Sequence, residues 1–183
     1  LNYYNRRTRE FKWYRPQEGR NSISHNNVKA LYYDADKEII WIGTHLGGLN
    51  KLDIRSGHFT HYRMEEGNPN TLPSDIIRDI IPYKSLLIIA TQNGVCLFDP
   101  ANGQCQQLFK DSKEGKSIKM VADVTFDSEG TLWIAATGEG VFSYRFDTCR
   151  LTNYRHDATN PNSLSNNNVN NITQAVSYTH LRA

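Results

Sequence analysis

Ile40-Trp41-Ile42-Gly43-Thr44, followed by Gly47-Gly48-Leu49, is written three times in this chain. It returns as Leu87-Ile88-Ile89-Ala90-Thr91 with Asn93-Gly94-Val95, and as Leu132-Trp133-Ile134-Ala135-Ala136 with Glu139-Gly140-Val141. Trp41 and Ile88 are 47 residues apart, and Ile88 and Trp133 are 45 apart. A period of about 46 residues built on short apolar strands predicts repeated β-units of the propeller-blade kind. In the first copy Ile40 and Ile42 point one way and Trp41 and Gly43 the other, so both sides are apolar. A strand with one wet face would alternate. A blade has a neighbour on each face, which buries both. The recurring small residue at Gly43, Ala90 and Ala135 fits the narrowing of blades toward an axis, and Trp41 and Trp133 read as equivalent packing positions between blades.

Working outward, each copy divides into four strands joined by hairpin turns, an all-β signature. The first runs over Val28–Asp34, Ile39–Thr44, Leu49–Asp53 and His58–Arg63, and the second over Asp75–Ile81, Leu86–Thr91, Val95–Asp99 and Gln104–Phe109. The third falls near Met120–Asp127, Thr131–Ala136, Val141–Arg145 and Arg150–Arg155. Asn93-Gly94 and Asn102-Gly103 are hairpin turns, both residues tolerating positive φ, and Pro82 closes its strand. Gly48, Gly94 and Gly140 serve turn geometry; no helix follows them, so they do not cradle phosphate.

The flanks carry fragments of the same unit. Leu1-Asn2, Phe11 and Tyr14-Arg15 align with Leu49-Asn50, Phe59 and Tyr62-Arg63 at a shift of 48. Asn160-Pro161-Asn162-Ser163-Leu164 repeats Asn68-Pro69-Asn70-Thr71-Leu72 at a shift of 92. The expected organisation is the end of a blade in 1–24, whole blades in 25–73, 74–117 and 118–166, and the first strand of another in 167–173. Residues 174–183 leave the pattern, like the scar of a cloning or sequencing join. Propellers close with about 4 to 8 blades. The chain is therefore expected to be a segment of a larger propeller, with the remaining blades as its partners and open sheets at its ends.

Composition excludes several function classes. Of 183 residues, 21 are Lys or Arg and 19 Asp or Glu, a net charge of +2 that gives no reason to expect nucleic acid. Apolar runs such as Leu86–Ala90 are far too short to span or enter a bilayer, and the opening residues lack the apolar core of a signal peptide. Cys96, Cys105 and Cys149 are odd in number and irregular in spacing, which argues for free thiols rather than disulfides or zinc. The six histidines show no ligand spacing, and no nucleophile elbow, P-loop or Cys/His pair stands out. No catalytic residue, metal ligand or cofactor is expected.

Binding is expected where turns between second and third strands share a face with the approaches to the first strands. His25, Asn26, His45, Gln92, Asn93 and Glu139 fall there. Asn27, Lys29, Asp75, Arg78, Lys119 and Asp123 are expected toward the axis, a mixture that suits a polar channel better than a metal site.

The unit Ile40–Asp53, with its Ile-Trp-Ile-Gly-Thr and Gly-Gly-Leu elements, resembles the two-component regulator propeller repeat, as does the linker Asn160–Val169. The resemblance covers most of Leu1–Ile172 and departs at Ile88 and Ala90, which replace Trp and Gly. It implies a periplasmic sensor segment of a hybrid two-component histidine kinase of the Bacteroidetes type, homodimeric in the parent, with an oligosaccharide as ligand. The residues alone leave open a propeller enzyme of the lyase or lactonase type and a protein-interaction propeller.

Overall fold

The computed structural model describes residues 1–110, 115 and 118–175. Fourteen strands form one two-stranded and three four-stranded antiparallel sheets, and no α-helix occurs among the described residues. The hairpin is β1 (Asn2–Asn5) with β2 (Glu10–Trp13). The first sheet is β3 (Val28–Asp34), β4 (Ile39–Thr44), β5 (Leu49–Asp53) and β6 (Phe59–Tyr62). The second is β7 (Ile77–Tyr83), β8 (Leu86–Thr91), β9 (Gly94–Phe98) and β10 (Cys105–Gln107). The third is β11 (Val121–Phe126), β12 (Leu132–Ala136), β13 (Gly140–Arg145) and β14 (Arg150–Tyr154). Each sheet is an up-and-down meander in chain order, and the first strand β7 adjoins both β3 and β11. This is the all-β, four-stranded blade architecture expected from the repeat.

The registers are equivalent from sheet to sheet. Leu49 pairs with Tyr62 and Asn50 with His61; in the hairpin, 48 residues earlier, Asn2 pairs with Trp13. The hairpin therefore corresponds to the two outer strands of a blade. All three first strands carry a bulge at the same place, between Val28 and Ala30, Ile77 and Asp79, and Val121 and Asp123. A bulge re-aims the side chain that follows it, here Ala30, Asp79 and Asp123.

The three cores lie between sheets rather than within them. Trp41 and Leu49 join Ile80, Leu87, Ile89 and Phe98 between the first and second sheets. Ile88, Ala90 and Val95 join Leu132, Ile134 and Phe142 between the second and third. Ile42 and Leu52 meet Leu1 and Tyr14 of the hairpin region. Alternate residues of β4 and β8 thus enter different cores, which is why these strands are apolar on both sides. Gly43 is small because Ile77 of the next sheet lies against it: an added Cβ would sit 2.5 Å from the Ile77 Cγ2 methyl. Gly48 and Gly140 have φ of 70° and 83°, and a Cβ on either would run into the carbonyl of Tyr62 or Tyr154. Only glycine meets both demands.

Several expectations are corrected. Trp133 is not fully buried like Trp41: it is half-exposed and donates from Nε1 to Asp127 Oδ2 at 2.7 Å, because no sheet among the described residues covers its side of β12. Pro82 lies inside β7, opposite Leu87, where its missing donor is tolerated because β7 is an edge strand. At Asn93-Gly94 and Asn102-Gly103 only the glycines take positive φ; Asn102 instead accepts from the Gln104 amide at 2.8 Å. Residues 167–173 form no strand, since a first strand takes its ladder from a second, and none follows among the described residues. Asp111–Glu114, Lys116–Ser117 and the tail from residue 176 lie outside the described residues.

Trp41→Ala should cost about 3–5 kcal/mol, the range for emptying a large core site. Trp133→Ala should cost only about 1–2 kcal/mol, from partial burial and one hydrogen bond. Denaturant unfolding of the two variants measures the difference; equal losses would contradict the asymmetry.

Candidate binding face

One rim of the molecule is stitched by backbone hydrogen bonds that repeat in each of the three four-stranded sheets. The amide of His45 donates to the carbonyl of Asn27 at 2.9 Å, Gln92 to Ile76 at 3.0 Å and Thr137 to Met120 at 3.2 Å. Each ties a turn between second and third strands to the start of its own first strand. Further bonds cross between sheets: Gly48 donates to Asp75 at 2.9 Å, Met120 to Gln92 at 2.7 Å, and Gly138 and Gly140 to Asn167 at 3.1 and 3.0 Å. His45 also forms an isolated antiparallel bridge with Ile76. The turn of one sheet is thereby fastened to the entrance of the next.

The six residues expected to bind lie along this rim without forming one compact cluster. His25 and His45 are joined through Asn27, whose amide donates to His25 Nδ1 at 3.2 Å and whose carbonyl accepts from His45. His25 also lies against Gly47, where an added Cβ would come 2.7 Å from its own Cβ. Asn26 is exposed beside them. His45 Nδ1 is buried and has no hydrogen-bond partner among the described residues. Gln92 and Asn93 occupy the next turn, with the Asn93 side exposed and its carbonyl accepting from Gln107 Nε2 at 3.4 Å. Glu139 is drawn toward the outer strand by an ion pair with Arg155, so its carboxylate is already engaged. Asn27 links two of the six and was read from the sequence only as an axial residue.

The inner strands hold a second link between sheets. Asp79, half-buried after its bulge, accepts from its own neighbour Ile80 at 2.8 Å and from the Val124 amide of the next sheet at 3.4 Å. Asp123, at the equivalent position, accepts from the Ile172 amide at 2.7 Å. The first sheet has Ala30 there and lacks the link. Burial pushes the Asp79 carboxyl above its ordinary value, and the neighbouring Asp123 carboxyl adds to the shift. Asp79 went unremarked in the sequence because a bulge cannot be seen in strand alternation; its offset from Asp123, 44 residues, was the available signal. Asp75, expected at the axis, instead meets the end of β6: it accepts from the Met64 amide at 2.8 Å and lies 3.5 Å from Arg63.

Residues 22–45 match the family model described as two component regulator propeller. The chain carries a two component regulator propeller repeat. Among solved structures, the extracellular domain of a hybrid two component system of B. thetaiotaomicron superposes with a TM-score of 0.72 at 21% identity, covering 81% of this chain. A Bacteroides thetaiotaomicron protein described as of unknown function gives 0.51 at 14% identity over 71% of this chain. This chain spans only 21% and 36% of those two proteins. No curated protein matches it. The likeness establishes the fold of the propeller repeats.

The cysteines of the second propeller repeat bear on binding only by exclusion. Cys96 and Cys105 are buried free thiols on adjacent strands, paired with Gln107 and Phe98 rather than with each other. The Cys96 thiol is held well above its ordinary value by a hydrogen bond with Cys105 and by burial.

A carboxyl raised on folding binds its proton more tightly in the native state, so its stabilisation is present in acid and lost as pH rises. For Asp79 the window opens above the ordinary value of 3.8. Asp147, lowered to about 2 by Arg145, acts in the opposite sense and below 3.8, so the two are separable. Stability should fall between the ordinary carboxylate value and neutrality, and Asp79→Asn should flatten that slope. Chemical denaturation at a series of pH values measures it; an unchanged slope in the variant would refute the assignment.

Proposed function

We propose that this segment belongs to the extracytoplasmic, periplasmic sensor of a hybrid two-component histidine kinase and that the complete sensor binds an oligosaccharide. The observation that carries the reading is the stitched rim: turns bearing His25, Asn26, His45, Gln92 and Asn93 are fastened to the entrance strands of neighbouring sheets. The family match over residues 22–45 supports the sensor class. Asn, Gln and His side chains both donate and accept, as sugar hydroxyls require. A ligand spanning two turns touches two sheets at once, and preference for one relative setting of those sheets is what a signal needs. The segment itself performs no catalysis in this reading; the kinase lies elsewhere in the parent.

Calorimetry of the parent's complete sensor against a panel of plant and host oligosaccharides is the test. Replacing His25, Asn26, His45, Gln92, Asn93 and Glu139 with Ala should weaken binding at least about tenfold, the loss of one or two hydrogen bonds. Binding that survives all six replacements removes the face assignment. A parent without a signalling domain removes the sensor reading.

A further inference from the structure

The structure sorts the residues expected at the axis by charge. The acids are in use within the fold: Asp75 holds the Met64 amide and lies beside Arg63, and Asp123 holds the Ile172 amide. The side chains of Lys29, Arg78 and Lys119 make no hydrogen bond and no ion pair among the described residues. The cations are what remains.

Arg78 is the most telling of them. Its side chain is half-buried, yet none of its guanidinium donors is used. β7 is flanked by β3 on one side and β11 on the other, so the surroundings of Arg78 are those of the middle of the stack. Asp79, its neighbour in sequence, takes its hydrogen bonds from the Ile80 and Val124 amides instead. The cause is the bulge. Arg78 is the extra residue between Ile77 and Asp79, and Lys29 the extra residue between Val28 and Ala30. Such a residue drops out of the ladder and its side chain is re-aimed, so the two cations hold equivalent positions on adjoining strands. Both sit just inside the rim. Lys29 follows Asn27, whose carbonyl holds the His45 amide, and Arg78 follows Ile76, whose carbonyl holds the Gln92 amide. Lys119 precedes Met120, whose amide donates to the Gln92 carbonyl. Uncompensated positive charge therefore borders the turns of His45 and Gln92.

We propose that Arg78, with Lys29, receives an anionic group of the ligand, a carboxylate or a sulfate ester, and that the oligosaccharide is an acidic one. This rests on the oligosaccharide reading above and adds the charge of the sugar to it. Arginine suits the task because its planar fork matches the paired oxygens of either group. The neutral donors and acceptors of the rim then meet the hydroxyls of the same ligand.

The test is calorimetry of the parent's complete sensor with oligogalacturonides, with the same chains after reduction of their carboxyls to alcohols, and with sulfated galactan oligosaccharides. One acidic probe should bind, and the one that does names the anion. Its uncharged counterpart, carboxyl-reduced or desulfated, should bind at least about 100-fold more weakly, because the charge-assisted contacts are lost. Arg78→Gln should weaken the acidic binding at least about tenfold and Lys29→Gln about threefold, with Arg78→Lys restoring part of the loss. Raising NaCl from about 0.05 M to about 0.5 M should weaken it further. The unfolding midpoint of Arg78→Gln should hold or rise, because no contact within the fold is removed; a clear fall makes Arg78 a structural residue and overturns the proposal. Binding of neutral oligosaccharides only, or acidic binding untouched by Arg78→Gln, overturns it and leaves the oligosaccharide reading in place. A sensor that binds no oligosaccharide, acidic or neutral, removes both.

Discussion

Everything in this molecule depends on a strand that must be buried twice. β4 and β8 send alternate side chains into two different cores, so neither sheet can satisfy its apolar content alone. At about 25 cal/mol per Å² of apolar surface, a residue such as Trp41 or Ile88 contributes mainly through the sheet beside it. Stability is therefore a property of interfaces, and each interface is sealed by an apolar linker residue: Ile23, Leu72 and Ile118 are all nearly inaccessible. The tight approach of Ile77 to Gly43 follows from the same demand.

Two further systems align the sheets once they are stacked. Along the rim the links are backbone to backbone and independent of side-chain identity, which lets turns as different as His45–Gly47, Gln92–Asn93 and Thr137–Glu139 occupy the same place. Along the inner strands the link is a side-chain carboxylate reaching a neighbouring amide, and it exists only where the bulge position is Asp. The first sheet, with Ala30, goes without it. The rim can thus vary in sequence for recognition while the stacking geometry is kept.

The ends of the stack show what the interior conceals. Trp41 and Trp133 occupy equivalent registers, yet one is 1% exposed and the other lines an open groove. The hairpin exposes Tyr3, Tyr4, Phe11 and Trp13. Such surface is ordinarily covered.

The sequence by itself determined the local structure closely. Two-sided apolar strands, Gly-containing turns and the recurring interval placed the strands of the three sheets to within a few residues, because pairing within a meander is a short-range matter of alternation and turn chemistry. It also indicated the face on which the turns gather. Only the tertiary structure decided which equivalent residues are buried, because burial of Trp133 requires a neighbouring sheet and no property of β12 supplies one. It alone showed the bulges that aim Asp79 and Asp123 across the inner strands, since a bulge adds a residue without breaking the composition of a strand. It alone gave Leu72 a place in the core, since a single apolar residue in a polar linker shows no strand alternation even where the linker is repeated. And it spread the six candidate binding residues along three turns, tying Glu139 to Arg155, because the separation of side chains across sheets is set by how the sheets stack.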